Sequence, residues 1–311
     1  MNRLPSATVI AVLGFVAACA PDPTAPTGIA IPPSFAGLSA STSAGVAVYN
    51  NIPSPIPPNV PSLGYQATQT AEFGDYVELA GTARRARSAT VLMSSWALHS
   101  DYPAMSAAGY THPITLNIYN VDNSGSDPAL GSRITTVTQT FLIPWRPEAD
   151  PSCPGGTAWR AGNGSCYNGY AFTIEFDLWA PAVTLPNRLI FGVAFNTNTW
   201  GYHPIGAPGP YESLNVGLVG APSTGTDVEP DAVFWNTMTA SYYSDGGSGG
   251  TGTFRRDTNW APFVPAFTIS ALTVATTADG CKNDGWRSLA RTDGSTFRNQ
   301  GDCVSYTQTG K

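Results

Sequence analysis

The stretches TLNIY (Thr115–Tyr119) and RITTVTQTF (Arg133–Phe141) decide the fold class of this chain. In the first stretch, two aliphatic residues alternate with polar Asn117, which is the pattern of a half-buried β-strand. The second stretch is rich in β-branched residues, which fit a pleated sheet. Both stretches predict strands, and segments of the same kind recur between residues 45 and 276.

Clusters of Gly, Pro and Asn separate these segments, and no segment combines helical periodicity with caps. The candidate strands are Val46–Tyr49, Tyr76–Ala80, Ala89–Ala97, Ile114–Val121, Arg133–Ile143, Ala171–Leu178, Leu189–Asn196, Ser213–Val219, Ala232–Asn236 and Phe263–Val274. Many short strands with intervening turns predict an all-β fold, namely an antiparallel two-sheet sandwich that is jelly-roll-like.

The composition points to the outside of a cell. Charged residues make up 12% of the 311-residue chain, about half of the roughly 25% that is usual in soluble domains. The net charge is -6, and the longest basic stretch is Arg84–Arg87. Binding to nucleic acid needs a concentrated basic surface, so we expect no nucleic-acid partner.

The N-terminus has the features of a secretion signal. Arg3 supplies a positive charge, and the apolar run Ala7–Ala18 is too short to span a bilayer as a helix. The run ends at Val16-Ala17-Ala18-Cys19, which resembles the bacterial lipobox. In the lipobox, the cysteine is diacylated and becomes the mature N-terminus. An ordinary signal peptide with a chance cysteine is the alternative.

The lipobox resemblance implies a membrane anchor at Cys19, after a signal peptide of residues 1–19. Ala20 stands where such proteins carry Asp when they stay at the inner membrane, which implies the outer membrane or the cell surface. Residues 20–44 are rich in Pro, Ser, Thr and Ala and predict a flexible linker. We therefore expect an extracytoplasmic, lipid-anchored protein.

The cysteine count fits this compartment. With Cys19 assigned to lipid, four of the five cysteines remain, and they fall into two local pairs: Cys153 with Cys166, and Cys281 with Cys303. An oxidising compartment would bridge both pairs. A zinc site is the alternative, but the chain contains no C-x-x-C spacing.

Residues 277–311 predict a small disulfide-closed C-terminal module. The segments Cys281-Lys282-Asn283-Asp284-Gly285-Trp286 and Phe297-Arg298-Asn299-Gln300-Gly301-Asp302-Cys303-Val304-Ser305-Tyr306 resemble a tail of many uncharacterised secreted bacterial proteins. Asp284 replaces the glycine that is usual in that tail. The resemblance implies secretion and no particular activity.

Residues 45–276 resemble bacterial surface domains of the choice-of-anchor kind. The segments that carry the resemblance are Ile118–Asn123 with Pro128–Leu130, and Ile190–Asn196. The resemblance implies a sandwich displayed on the surface, and it implies no catalytic residues.

Motifs for catalysis are incomplete. Glu175 and Asp177 lie on one face of a predicted strand, as the acid pair of a sugar hydrolase would. Laminarinase-like enzymes carry a third acid after such a pair, where this chain has Trp179 or Ala180. Gly246–Gly250 matches G-x-S-x-G but lacks the strand and helix of a nucleophile elbow. We therefore predict no catalytic residues, and a polysaccharide-acting enzyme is the second alternative.

Metal ligands are also sparse. His99, His112 and His203 do not lie at ligand spacing. The loop residues Asp122, Ser124 and Asp127 present alternating oxygens as a calcium loop does, but the central Gly and terminal Glu of an EF-hand are absent. We expect a β-turn there and no metal or cofactor, with calcium as the weak candidate.

Aromatic residues near predicted loops are the strongest indication of a ligand. The candidates are Trp159, Tyr167, Trp200, Tyr202, Tyr211, Tyr242 and Tyr243. Exposed rings stack on sugars, while neighbouring polar groups bind the hydroxyls; the alternative is that these rings cap the core. We predict a non-catalytic structural, adhesive or ligand-presenting protein, with a carbohydrate-binding protein as the alternative. Beyond the membrane, its partner would be a polysaccharide or another surface protein.

Overall fold

A computed structural model describes residues 45–180 and 183–310 of the chain. The predicted signal peptide, the lipidation site Cys19 and the linker of residues 20–44 lie outside the described residues. Among the described residues, no helix is long and apolar enough to cross a membrane.

The described residues form seventeen strands and one α-helix. The strands are β1 Val46–Asn50, β2 Ser62–Gly64, β3 Thr70–Glu78, β4 Arg85–Ser95, β5 Tyr110–Asp122, β6 Ala129–Ile143, β7 Trp159–Arg160, β8 Cys166–Tyr167, β9 Tyr170–Asp177, β10 Arg188–Ala194, β11 Leu214–Val219, β12 Thr226–Asp227, β13 Ala232–Thr237, β14 Arg255–Thr258, β15 Val264–Pro265, β16 Phe267–Val274 and β17 Leu289–Ala290, and the helix is α1 Gln300–Thr309.

Two sheets make up the sandwich, which confirms the predicted fold class. The eight-stranded sheet has the order β1-β16-β4-β11-β15, with β9 on β4, β2 on β11 and β17 on β16. The seven-stranded sheet has the order β14-β13-β3-β10-β5-β6, with β12 on β3. The strands pair antiparallel except β16 with β17. The chain crosses repeatedly from one sheet to the other, for example between β3 and β4 and between β9 and β10, as in jelly rolls.

The core lies between the sheets and follows the alternation seen in the sequence. On β5, Ile114, Leu116 and Ile118 are fully buried. Phe191 of β10 stacks on Phe267 of β16 with ring centroids 3.8 Å apart, so this pair joins the two sheets. Burial of such side chains stabilises the fold by roughly 1.5–3 kcal/mol each.

A proline-rich segment covers part of the outer face of the eight-stranded sheet. Ile52 and Val60 pack there against Leu92, Ala171 and Ala266. The face of this sheet that points away from the core is therefore partly closed by the chain itself.

Both predicted cysteine pairs are disulfides, Cys153–Cys166 and Cys281–Cys303. Bridges of this kind form and persist in oxidising compartments outside the cytoplasm. The second bridge lies in a small cluster with Leu289, Phe297 and Tyr306, so the C-terminal residues have a core of their own.

The helix α1 corrects the expectation that no segment is helical. Its N-cap Asn299 accepts a hydrogen bond from the backbone N–H of Asp302, and Gly310 ends it in the left-handed conformation. The apolar pattern was too weak to indicate it, because only Cys303 and Tyr306 of this helix are buried.

Candidate functional site

The outer face of the seven-stranded sheet is organised in three rows that run across the strands. The first row is Asn236, Glu72, Ala194, Thr115 and Thr138. The second row is Phe234, Gly74, Gly192, Asn117 and Thr136. The third row is Tyr76, Ile190, Tyr119 and Arg133. The first two rows contain small and polar side chains at the centre of the sheet.

A buried glutamate lies at the centre of this face. The Oε1 atom of Glu72 accepts hydrogen bonds from Asn117 Nδ2 at 2.9 Å and from the Tyr119 hydroxyl at 3.0 Å. The side chain passes over Gly192, where a Cβ atom would lie 2.2 Å from Oε1. Only glycine at position 192 leaves space for this arrangement.

Burial has the largest effect on the pKa of this glutamate. Desolvation raises the pKa of Glu72, while the hydrogen bonds from Asn117 and Tyr119 and the charge of Arg133 act in the opposite direction. The hydroxyl of Tyr119 also has a raised pKa, because of its burial and the neighbouring Glu72. The proton on Glu72 is thus held more firmly than on a solvated glutamate.

The third row is closed by aromatic packing. Tyr76, Tyr119, Ile190 and Phe234 form a buried cluster with Phe254 on this face. The part of the outer face that remains open is therefore formed by the first and second rows, together with Arg133 at the end of the third.

A cleft opens over the first and second rows. It has a volume of about 360 Å³. Its lining residues are Pro113, Thr115, Asn117, Arg133, Thr136, Thr138, Ala194, Phe195, Asn196, Tyr202 and His203. It combines hydroxyls, two amides, one guanidinium, one imidazole and the rings of Phe195 and Tyr202, and polar and aromatic groups of this kind orient a ligand.

The loop after β10 supplies the wall of the cleft. Asn196 Oδ1 accepts a hydrogen bond from the backbone N–H of His203 at 2.8 Å, and Thr197 N–H donates to the carbonyl of Trp200 at 2.8 Å. Gly201, at φ +119°, permits the turn between them. These bonds hold Tyr202 in place although 62% of its surface is exposed.

Tyr202 also lines a second cavity of about 420 Å³, together with Trp200, Asn236 and Met238. The ring therefore stands between two cavities on the same side of the sheet. An exposed ring of this kind can stack on a flat ligand.

Two amide oxygens at these cavities accept no hydrogen bond from the described residues. They are Oδ1 of Asn117, in the cleft, and Oδ1 of Asn236, in the second cavity, and both are buried. Buried acceptors are nearly always paired in folded proteins. Both oxygens have almost no accessible surface, so a ligand in the cavities does not reach them directly.

A β-bulge brings Arg133 into the cleft. The register of the β5–β6 pair shifts between Ile118, opposite Thr135, and Tyr119, opposite Arg133. Strict alternation would put Arg133 and Thr136 on opposite faces of β6, whereas the shift puts both in the cleft.

The structure separates the predicted aromatic residues. Trp200 and Tyr202 meet at the cavities, but Trp159 and Tyr243 are buried. Trp159 donates to the carbonyl of Gly169 at 2.8 Å, and Arg255 lies over the Tyr243 ring at 3.8 Å. Tyr243 belongs to the main core, whereas Trp159 lines a separate cavity of about 480 Å³ beside Pro58 and Tyr170.

The remaining three candidates lie away from the cleft. Tyr167 packs beside Trp159, Tyr211 stacks on His112 with centroids 4.9 Å apart, and the exposed Tyr242 donates its hydroxyl to the carbonyl of Ala67. None of these three is among the residues that line the cleft.

The candidate acid pair lies on the other sheet. Glu175 and Asp177 are both exposed on β9, and Asp177 pairs with Arg87 at 2.9 Å. The Gly246–Gly250 segment is an exposed loop in which Asp245 accepts hydrogen bonds from the N–H groups of Gly247 and Gly249. The carboxylate of Asp245 therefore bridges two backbone N–H groups of this loop.

The histidines are dispersed. His112 is buried and contacts the carbonyl of Asn196 at 2.7 Å, and burial lowers its pKa. His99 lies 3.1 Å from the carbonyl of Met105, and His203 lines the cleft.

The segment with the weak calcium candidates Asp122, Ser124 and Asp127 connects β5 to β6. Asp122 Oδ1 accepts from the backbone N–H of Ser124 at 2.9 Å, and Asp127 lies 4.0 Å from Arg256. Among the described residues, no group of three or more His, Cys, Asp or Glu side chains is arranged to hold a metal ion.

A second buried carboxyl lies on the core side of the same sheet. Asp75 Oδ1 accepts from the backbone N–H of Tyr76, while Oδ2 accepts nothing from the described residues. Burial, followed by the charge of Asp227, raises the pKa of Asp75. Burial also raises the pKa of Asp227 to about 6.

No protein-family model matches the chain, and no curated protein or solved structure matches it either. The resemblances to choice-of-anchor domains and to the secreted tail therefore stay predictions.

Proposed function

We propose that this chain is a lipid-anchored extracytoplasmic protein that binds a glycan in the cleft and has no catalytic role. The observation that carries the proposal is the convergence of polar side chains beside the exposed ring of Tyr202. Thr136, Thr138 and Asn196 contribute two hydroxyls and an amide to the same cleft as that ring.

The chemistry of the cleft suits a polyhydroxylated ligand. A sugar has an apolar face that stacks on an aromatic ring, and its edge carries hydroxyls that donate and accept hydrogen bonds. The exposed hydroxyls of Thr136 and Thr138 in the cleft can donate to and accept from such hydroxyls. The volume of about 360 Å³ is within the range of roughly 300–1,000 Å³ that is typical of ligand sites.

The compartment also supports a glycan ligand. The disulfides suit an oxidising environment, and the lipobox resemblance at Cys19 and the choice-of-anchor resemblance of residues 45–276 both favour display at the cell surface. Polysaccharides are common ligands in that location.

The two alternative functions, a structural or adhesive protein and a hydrolase, require different features of the molecule. A purely structural or adhesive protein would not need the cleft, so it would bind no glycan there. A hydrolase needs two carboxyls across the scissile bond, and none of the described residues that line the cleft is an aspartate or a glutamate. The buried Glu72 is the acid closest to these residues in the sheet register.

Replacement of Tyr202 by alanine tests the proposal. A glycan array with the full chain in detergent should identify ligands, and calorimetry should then show that Tyr202→Ala weakens binding about tenfold, because the stacking surface is lost. The fold should not change, since the ring is 62% exposed.

Trp96→Ala is the matched control. Trp96 is 42% exposed and follows β4 in the other sheet, so its removal should leave affinity unchanged. If the array shows no bound glycan, or if both variants bind as the native chain does, the cleft is not a glycan site.

The anchor has a separate test. In cells fed labelled palmitate, the native chain should carry the label and Cys19→Ser should lose it and leave the membrane fraction, because the thiol that accepts the diacyl group is gone. A mutant that keeps the label would contradict the lipobox prediction.

A further inference from the structure

Arg133 differs from most arginines of the described residues. Seven others pair with an aspartate or glutamate at 2.7 to 3.3 Å, for example Arg188 with Glu78. Arg133 makes no ion pair and no side-chain hydrogen bond with the described residues, and it is exposed at the cleft. Its five N–H donors are available to a ligand.

Glu72 is the acid that interacts electrostatically with Arg133, and its carboxyl is already hydrogen-bonded to other side chains. Glu72 is 2% exposed, and its Oε1 atom accepts hydrogen bonds from Asn117 and Tyr119. Burial also favours the protonated form of Glu72 and raises its pKa. This acid therefore competes less for the guanidinium than a solvated carboxylate would.

The charge of the cleft is opposite to that of the chain. The chain carries a net charge of -6, whereas the described residues lining the cleft include one arginine, one histidine and no acid. Such local positive charge attracts an anion into the site and orients it.

We infer that the glycan is acidic, and that Arg133 binds the carboxylate of a uronic acid residue in the cleft. This inference rests on the proposed glycan-binding function. The planar fork of a guanidinium matches a carboxylate with two parallel hydrogen bonds. Thr136 and Thr138, which are exposed in the cleft on the same strand as Arg133, are then placed to bind the hydroxyls of the same ligand.

Paired oligosaccharides provide the test. Oligogalacturonate and oligomannuronate, each with its carboxyl-reduced neutral counterpart, are titrated into the full chain in detergent at low ionic strength. At least one acidic oligosaccharide should bind about tenfold more tightly than its neutral counterpart. In Arg133→Gln this advantage should disappear, while the residual affinity equals that of the neutral ligand.

Arg298→Gln is the control for net charge. Arg298 is exposed in the C-terminal residues, so its loss changes the total charge equally and should preserve the acidic preference. Unfolding midpoints of both variants should match the native chain, because neither side chain makes an ion pair with the described residues.

Each contrary result has a distinct meaning. If acidic and neutral ligands bind equally and Tyr202→Ala weakens both, glycan binding stands and the acidic preference is wrong. If the preference survives in Arg133→Gln, or if dextran sulfate binds more tightly than both uronates, the assignment of Arg133 to a carboxylate is wrong. If no oligosaccharide in this panel or on the array binds, the proposed function fails as well.

Discussion

At the residue scale, the cleft depends on the absence of a side chain at position 192. The carboxyl of Glu72 occupies the space above Gly192 and is held there by Asn117 and Tyr119. Isolated glycines in a strand often mark such a close approach. Gly192 thus allows the carboxyl of Glu72 to lie directly against the backbone of β10.

Gly192→Ala should disrupt this arrangement. The new Cβ would lie 2.2 Å from Glu72 Oε1, so the carboxyl must move and lose donors while it stays buried. We expect a loss of about 1–3 kcal/mol in the free energy of unfolding, measured by urea denaturation, together with weaker glycan binding.

Gly162→Ala is the matched control. No heavy atom lies within 4 Å of a Cβ at this position. Equal stability of the two variants would show that Glu72 adapts without cost and that the glycine is not required.

The residues of the site were only partly predictable. Tyr202 and Trp200 could be named from the sequence because aromatic residues in a Gly/Pro-rich loop are unusual. Glu72, Asn117 and Arg133 come together from β3, β5 and β6, and a single sequence contains no signal for which strands are neighbours. The glycines Gly74 and Gly192 were the one local indication of a close approach.

At the scale of elements, long strands were predictable and short ones were not. Nine of the ten predicted strands each overlap one strand of the structure, whereas Phe263–Val274 is divided into β15 and β16. The strands β5 and β6 extend beyond their predicted ends to Tyr110 and Ala129, because they form one long hairpin. Strands of two residues, such as β12 and β17, carry no alternation and exist only through a neighbour. The bulge that brings Arg133 into the cleft could not be predicted from the sequence either, since it depends on the partner strand.

The helix α1 depends on its cap. Asn299→Ala removes the acceptor for the Asp302 N–H and should cost about 1 kcal/mol. Because the Cys281–Cys303 bridge still holds the helix, we expect local opening: hydrogen exchange of α1 amides should accelerate about fivefold, with exchange in β4 unchanged.

Gln300→Ala serves as the comparison. Gln300 is exposed and begins the same helix, so its loss should not change exchange in α1. Equal exchange rates in both variants would mean that the cap does not limit the opening of α1.

At the scale of the whole molecule, buried acids set the pH dependence of stability. The folded state keeps the protons of Asp75 and Asp227 to a higher pH than the unfolded chain, for which the value is 3.8. The unfolded chain then binds fewer protons in this window, so the free energy of unfolding falls as the pH rises. For Asp227 the fall extends to about pH 6.

Asp75→Asn should reduce this pH dependence. The amide cannot ionise, so the variant should be more stable than the native chain by about 1–3 kcal/mol at pH 8 and nearly equal to it at pH 4. Urea denaturation at both pH values measures the difference.

Asp101→Asn, at an exposed carboxyl, should have no such effect. A gain in Asp75→Asn that is the same at pH 4 and pH 8 would show that ionisation of Asp75 is not the cause.

The rows that cross the seven-stranded sheet give the outer face a built-in length scale. Asn236, Glu72, Ala194, Thr115 and Thr138 belong to five adjacent strands, which are separated by four intervals of about 4.8 Å, or about 19 Å in total. Glu72 and Ala194 are buried, so a polymer laid along this row would contact Asn236 at one end and Thr115 and Thr138 at the other. Oligomers long enough to reach both ends should bind more tightly than shorter ones, and units beyond the edge of the sheet should add nothing.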